Sequence, residues 1–141
     1  MARAQYGSPV AVPTATARGP GRLLVLVYGL FALSAGARAA VQIGTRFDDA
    51  PIAYLLSALA AAVYLLATVG LVRSRRLALV SCTVELVGVL VVGTVSLLVP
   101  EEFPDATVWS GYGEGYGFVP LLLPVLGLLW LWHTRPGRGT G

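Results

Sequence analysis

Glu85 is an acid inside an otherwise apolar stretch, "LALVSCTVELVGVLVVGTVSLLV", residues 77–99. A charge near the centre of a membrane costs about 3 kcal/mol, so an acid at this depth is a candidate proton or cation site. Tyr28 and Tyr64 lie in two other apolar stretches, at a similar distance from the arginine-bearing ends. We therefore predict a buried, hydrogen-bonded layer of Glu85, Tyr28 and Tyr64. The layer either handles an ion or only locks the helices together.

Arg38 is the other charge within an apolar stretch. It lies about 10 Å from the predicted level of Glu85, close to the opposite boundary. We expect its side chain to extend to the surface, where Glu101, Glu102 and Asp105 neutralise it. The alternative is that Arg38 and Glu85 face one cavity, which would then be the substrate site.

A glycine-rich segment, "GYGEGYGFVP", occupies residues 111–120. It differs from a potassium filter, because "TVWSGYG" carries two extra residues and the preceding "PEEFPDA" cannot form a pore helix. Its glycine spacing matches no phosphate-binding loop. Each glycine costs a helix about 1 kcal/mol, so we predict a loop that dips into the headgroup region. Its aromatic side chains would anchor it at the outer interface; they are Trp109, Tyr112, Tyr116 and Phe118.

The same loop is also a candidate external interaction site, since it combines acidic and aromatic side chains. That candidate site comprises Asp105, Trp109, Tyr112, Glu114 and Tyr116.

Four apolar stretches must position these residues, at about 23–43, 51–72, 77–99 and 118–132. A membrane-crossing helix needs about 20 such residues. The fourth stretch is short and covers only about 22 Å as a helix. The chain is 56% hydrophobic and 12% charged, which is about half the charged fraction of a soluble domain. The sequence therefore predicts an all-α, integral membrane four-helix bundle.

The arginines predict the orientation of this bundle. The sequence has ten basic residues, and all are arginine. Eight lie before the first stretch, between the second and third, or after the fourth: Arg3, Arg18, Arg22, Arg73, Arg75, Arg76, Arg135 and Arg138. Positive residues stay on the cytoplasmic side, so we predict both termini to be cytoplasmic and the protein to lie in the plasma membrane.

The first stretch has an alternative interpretation as a signal peptide, with cleavage after Ala37–Ala39. Cleavage would leave three spans and an external N-terminus. The long preceding tail and Arg38 beside the cut argue against this alternative.

The composition of the chain also bears on its ends, on disulfide and metal sites, and on nucleic-acid binding. The ends, residues 1–21 and 134–141, have no apolar periodicity and are predicted to be disordered cytoplasmic tails around a transmembrane domain at 22–133. One cysteine and one histidine exclude an internal disulfide and disfavour a zinc site. We predict no cofactor or metal. The net charge of +3 follows the membrane topology, so we also predict no nucleic-acid partner.

Three segments carry a resemblance: "ARAAVQ", "FPDATVWS" and "GYGFVPLLLPVLGLLWLW". With them the sequence resembles the small four-span integral membrane proteins of high-GC Gram-positive (actinobacterial) bacteria. The resemblance covers about residues 22–133. It implies a membrane location and four helices, and it carries over no catalytic residue.

These observations favour a non-enzymatic accessory or interaction subunit. Its expected partners are the lipid bilayer and either another membrane protein or a second copy of the chain. The alternative is a small oligomeric transporter or channel component with Glu85 as its proton or cation site. An intramembrane enzyme would need paired acids, a nucleophile with a base, or a metal cluster at one depth, and the sequence offers none of these.

Overall fold

The computed structural model describes residues 19–134. Most of the two predicted tails, with Arg3, Arg18, Arg135 and Arg138, lies outside the described residues. Within residues 19–134 the chain has no strand and forms four α-helices, which confirms the all-α prediction. They are α1 (Pro20–Arg46), α2 (Pro51–Arg73), α3 (Arg75–Leu98) and α4 (Val119–His133). Each helix coincides with one predicted apolar stretch to within three residues at either end.

Proline and serine set the beginnings of the helices. Pro20 and Pro51 open α1 and α2, where the missing N–H removes no helical hydrogen bond. Pro20 and Gly21 are thus helical, which corrects their assignment to the N-terminal tail. Ser74 alone separates α2 from α3, and its hydroxyl accepts a hydrogen bond from the Leu77 N–H at 3.2 Å. This N-cap allows α3 to begin directly after the single residue that follows α2.

The arginines of the "RSRR" turn belong mostly to the helices. Arg75 and Arg76 form the first turn of α3. The Arg75 guanidinium donates a hydrogen bond to the carbonyl oxygen of Leu131, in the last turn of α4. Carbonyls in a last helical turn have no partner within their own helix, so Arg75 ties the end of α4 to the start of α3.

The helices pack in chain order: α1 on α2, α2 on α3 and α3 on α4, while α1 and α4 touch less extensively. Several polar and aromatic side chains lie inside this bundle, and most of its large exposed side chains are aliphatic. Tyr28, Tyr64 and Glu85 have no exposed area, whereas Leu33 and Leu98 are more than 70% exposed. This distribution is the reverse of that in a soluble protein.

Three helices are long and apolar enough to cross a membrane, namely α1, α2 and α3. The fourth helix has 15 residues and covers only about 22 Å. It qualifies only together with the preceding 3-10 turns at Ser110–Tyr116, from which it is bent by 99°. The described residues thus contain three spanning-length helices, or four when that bent pair counts as one.

Candidate functional site

Glu85 and Tyr28 meet at the centre of the bundle. Each side chain is fully buried. The Tyr28 hydroxyl donates a hydrogen bond to Glu85 Oε1 at a distance of 2.6 Å. Cys82 Sγ lies 3.6 Å from the same hydroxyl. Since Tyr28 is on α1 and both Glu85 and Cys82 are on α3, this contact links two helices that are not adjacent in the sequence.

Tyr64 lies in the same layer but has a different hydrogen-bond partner. Its hydroxyl accepts a hydrogen bond from Trp109 Nε1 at 2.8 Å. Its ring packs against the ring of Tyr28, with 6.2 Å between the centroids. The predicted layer of Glu85, Tyr28 and Tyr64 therefore consists of two hydrogen-bonded pairs in ring contact, and Trp109 is its fourth member.

The second carboxyl oxygen of Glu85 does not take part in the contact with Tyr28. Within residues 19–134, Glu85 Oε2 is buried and has no hydrogen-bond partner, and the same holds for Ser81 Oγ one turn earlier. A buried polar atom without a partner costs about 1–3 kcal/mol. This oxygen is the place where the layer could hold a proton or a cation. No group of three or more metal-ligating side chains is found among the described residues.

Trp109 reaches the layer because the connection between α3 and α4 folds into the bundle. We call residues 103–118 the inserted segment. The Trp109 ring lies against Gly88 of α3, ten residues before α3 ends at Leu98. At 1.5 Å per residue the ring is about 15 Å below the end of that helix.

Two glycines of α3 make room for the inserted segment. A Cβ on Gly88 would lie 2.6 Å from the Trp109 ring, which is closer than any ordinary contact. Gly93, just over one turn later, is covered in the same way by the Tyr112 ring. The surface of α3 thus has two recesses, and each receives one aromatic ring.

The inserted segment satisfies much of its own backbone hydrogen bonding. The Gly111 N–H donates to Ser96 Oγ of α3 at 2.9 Å. The Thr107 and Trp109 N–H groups donate to the hydroxyls of Ser110 and Thr107, at 2.8 Å and 3.0 Å. The Phe118 N–H donates to the Gly113 carbonyl at 3.0 Å, immediately before α4. These bonds allow a non-helical backbone to lie inside an apolar bundle.

The structure corrects the predicted role of Trp109. Its side chain is 2% exposed, so its assignment as an interfacial anchor is wrong. Tyr112 is half-buried and its hydroxyl lies 2.8 Å from Thr94 Oγ1. Only Tyr116 and Phe118, 36% and 51% exposed, have the surface position expected of anchors. The predicted shallow loop is instead an insertion that reaches the core.

Arg38 lies apart from the buried layer. It is ten residues beyond Tyr28 on α1, which corresponds to about 15 Å along the helix axis. Its exposed side chain donates a hydrogen bond to the Tyr116 hydroxyl at a distance of 2.5 Å. Within residues 19–134 it forms no ion pair with Glu101, Glu102 or Asp105, which corrects that prediction.

Asp105 has other partners. Its carboxylate lies 4.0 Å from the Arg46 guanidinium and accepts a hydrogen bond from the Tyr54 hydroxyl. Arg38 lines a cavity between α1, α2 and the inserted segment, and Glu85 does not contribute to its wall. The alternative of one cavity shared by Arg38 and Glu85 is therefore not the observed arrangement.

Sequence reasoning missed the contribution of Trp109 to the layer and of Ser96 to the inserted segment. A signal was present in "GVLVVG", residues 88–93, where two glycines five positions apart interrupt an apolar helix. Small residues in such a helix allow close approach. The sequence does not specify that the approaching group is an aromatic ring from a loop.

No protein-family model, curated protein or solved structure matches the chain significantly. The function proposed below is therefore inferred from the contacts within residues 19–134.

Proposed function

We propose that the chain is a multi-pass protein of the plasma membrane with both termini on the cytoplasmic side. The surface of leucine and valine side chains supports insertion, because such a surface is stable in hydrocarbon and prone to association in water. The inserted segment also fits a membrane, where irregular backbone is tolerated only when it is buried in protein. The arginine distribution supports the orientation.

Within that membrane we propose a non-enzymatic accessory or interaction subunit, which binds another membrane protein or a second copy of itself. One observation carries this proposal. Trp109 and Tyr112 pack against α3, and the stretch Glu114–Phe118 that follows them is exposed. Exposed aromatic side chains such as Tyr116 and Phe118 are typical of a protein interface.

Site-specific photo-crosslinking in native membranes tests this proposal. Gly115 suits the probe, because nothing lies within 4 Å of a Cβ built there. Gly44 on α1 is the matched control, since its surroundings are equally open. We expect a discrete protein adduct from the Gly115 probe and none from the Gly44 probe.

The mass of the adduct distinguishes the two kinds of partner. A second copy gives twice the 14.7 kDa of the chain, and another protein gives a different increment. The absence of a protein adduct at Gly115, or identical adducts at both positions, would refute the interaction proposal.

The unpartnered Glu85 Oε2 favours a second candidate function, a small oligomeric transporter or channel component. Four helices enclose little space, so the pathway would need several copies of the chain. Proton or cation flux into liposomes tests it, with Glu85→Gln as the variant and Glu114→Gln as the control. We expect the Glu85→Gln variant to lose the flux. Equal pH-dependent flux in the wild type and in Glu85→Gln would remove Glu85 from any transport mechanism.

A further inference from the structure

A cavity of about 130 Å³ lies between α1, α2 and the inserted segment. Most of its wall is apolar and includes Phe31, Ala35 and Val108, and Ser34 and Ser57 add two hydroxyl groups. A closed, fully apolar cavity of about 150 Å³ can hold benzene. The space is therefore sufficient for a short length of hydrocarbon chain, and we call it the tail cavity.

A second cavity of about 300 Å³ lies beside it, and Arg38 and Tyr116 contribute to both. Its wall is more polar and includes Thr107, Ser110 and Glu114. We call it the head cavity. The Arg38–Tyr116 hydrogen bond thus lies where an apolar space meets a polar one.

The head cavity contains two opposite charges that do not neutralise each other. Arg38 and Glu114 both line it, yet in the described part of the chain they form no ion pair with each other. Arg38 has a tyrosine hydroxyl as its polar contact. A ligand with one anionic and one cationic group would match this pair, because each charge would gain a partner of opposite sign.

The tail cavity reaches the surface of the bundle along one face of α1. Leu30, Ser34 and Arg38 line this cavity at four-residue intervals, and all three are exposed. Residues at this spacing share one helix face. In a membrane that face meets acyl chains, so a molecule can enter sideways from the bilayer.

We propose that these two cavities bind a zwitterionic phospholipid with a primary ammonium headgroup, its phosphate at Arg38 and its ammonium at Glu114. The upper end of one acyl chain lies in the tail cavity. A purely anionic lipid would meet repulsion from Glu114, and a headgroup without N–H donors would leave the Glu114 carboxylate without a hydrogen bond. The proposal rests on the membrane insertion proposed above. Glu114 and Tyr116 also belong to the stretch proposed to bind a protein partner, so lipid binding is tested on the purified chain without a partner.

Lipid retention measured by native mass spectrometry tests the proposal. The full chain is purified from an equimolar mixture of phosphatidylethanolamine, phosphatidylglycerol and phosphatidylcholine with identical acyl chains. We expect the wild type to retain phosphatidylethanolamine at least about tenfold over each of the other two, the factor that one charge-assisted hydrogen bond supplies. Equal retention of the three lipids, or a preference for phosphatidylglycerol, would overturn the proposal without any variant.

Three variants then assign the contacts. Arg38→Gln is expected to lower the retention of all three lipids. Glu114→Gln is expected to remove the preference for phosphatidylethanolamine by lowering its retention about tenfold, to that of phosphatidylcholine. Arg46→Gln is the matched control, because Arg46 is an exposed arginine of α1 outside both cavities, and we expect wild-type retention. Full retention in Arg38→Gln would also refute the proposed site.

Discussion

At the level of single residues, two buried side-chain hydrogen bonds link elements that are distant in the sequence. Tyr28 supplies the donor to one oxygen of Glu85, and Trp109 supplies the donor to Tyr64. Water cannot replace these donors, since all four side chains are at most 2% exposed. The loss of one donor therefore leaves a buried acceptor without a partner.

Tyr28→Phe removes the hydroxyl that Glu85 accepts from and leaves the packing of the ring intact. We expect the free energy of unfolding to fall by about 1–3 kcal/mol. Circular dichroism during titration with a denaturing detergent measures it. Tyr112→Phe is the control, because that hydroxyl is partly exposed, and we expect a smaller effect. Equal stability of the two variants would contradict the proposed contribution of the Tyr28–Glu85 hydrogen bond to the free energy of unfolding.

Trp109 contributes to stability both by packing and by its hydrogen bond to Tyr64, and two variants separate these contributions. Trp109→Phe keeps an aromatic ring but loses the N–H that bonds Tyr64, so we expect a cost of about 1 kcal/mol. Trp109→Ala also leaves a large void and should cost about 3–5 kcal/mol. The same detergent titration measures both variants. Leu129→Ala, on the exposed face of α4, should be close to neutral. A neutral Trp109→Ala would show that the ring does not hold the inserted segment.

At the level of secondary-structure elements, the inserted segment explains why α4 is short. The segment packs against the second half of α3, at Gly88 and Gly93, and α4 packs against its first half, where Gly127 lies beside Cys82. The 15 residues of α4 are therefore sufficient, although they cover only about 22 Å. This arrangement depends on the recesses at Gly88 and Gly93, because any larger residue there would exclude the aromatic rings.

Gly88→Ala is expected to displace the Trp109 ring and loosen the inserted segment. With Trp130→Phe and Trp132→Phe as the background, the fluorescence of Trp109 should shift to longer wavelength and become accessible to a water-soluble quencher. Gly29→Ala is the matched control, since a Cβ at that helical position meets Thr68 at an ordinary 3.8 Å. Identical spectra for Gly88→Ala and Gly29→Ala would contradict the role of the Gly88 recess.

At the level of the whole molecule, the distribution of side chains is the one expected of a bundle surrounded by lipid. Most large exposed side chains are leucine and valine, while Tyr28, Tyr64, Trp109 and Glu85 lie in the interior. In hydrocarbon the aliphatic side chains gain nothing by burial, and helix association depends on close packing and hydrogen bonds. The polar interior is then the expected arrangement for a lipid-solvated bundle.

Cysteine labelling of intact cells tests the orientation of the bundle. In a Cys82→Ala background, Glu101→Cys lies between α3 and α4, and Arg76→Cys lies at the α2–α3 turn. We expect an impermeant maleimide to label Glu101→Cys directly and Arg76→Cys only after permeabilisation. The reverse pattern would overturn the proposed topology.

The sequence by itself determined the four helices and their limits, because long apolar runs bounded by arginine, proline and acidic turns leave the backbone little alternative. It also placed Tyr28, Tyr64 and Glu85 at one level, since depth along a helix is a simple count of residues.

Only the tertiary structure decided the partners of these side chains. Depth does not specify the face that each helix turns to its neighbours, nor the path of a glycine-rich connection. That path brought Trp109 to Tyr64 and Tyr116 to Arg38. Such contacts depend on how rings and recesses fit between elements distant in the sequence, and residue spacing alone does not encode that fit.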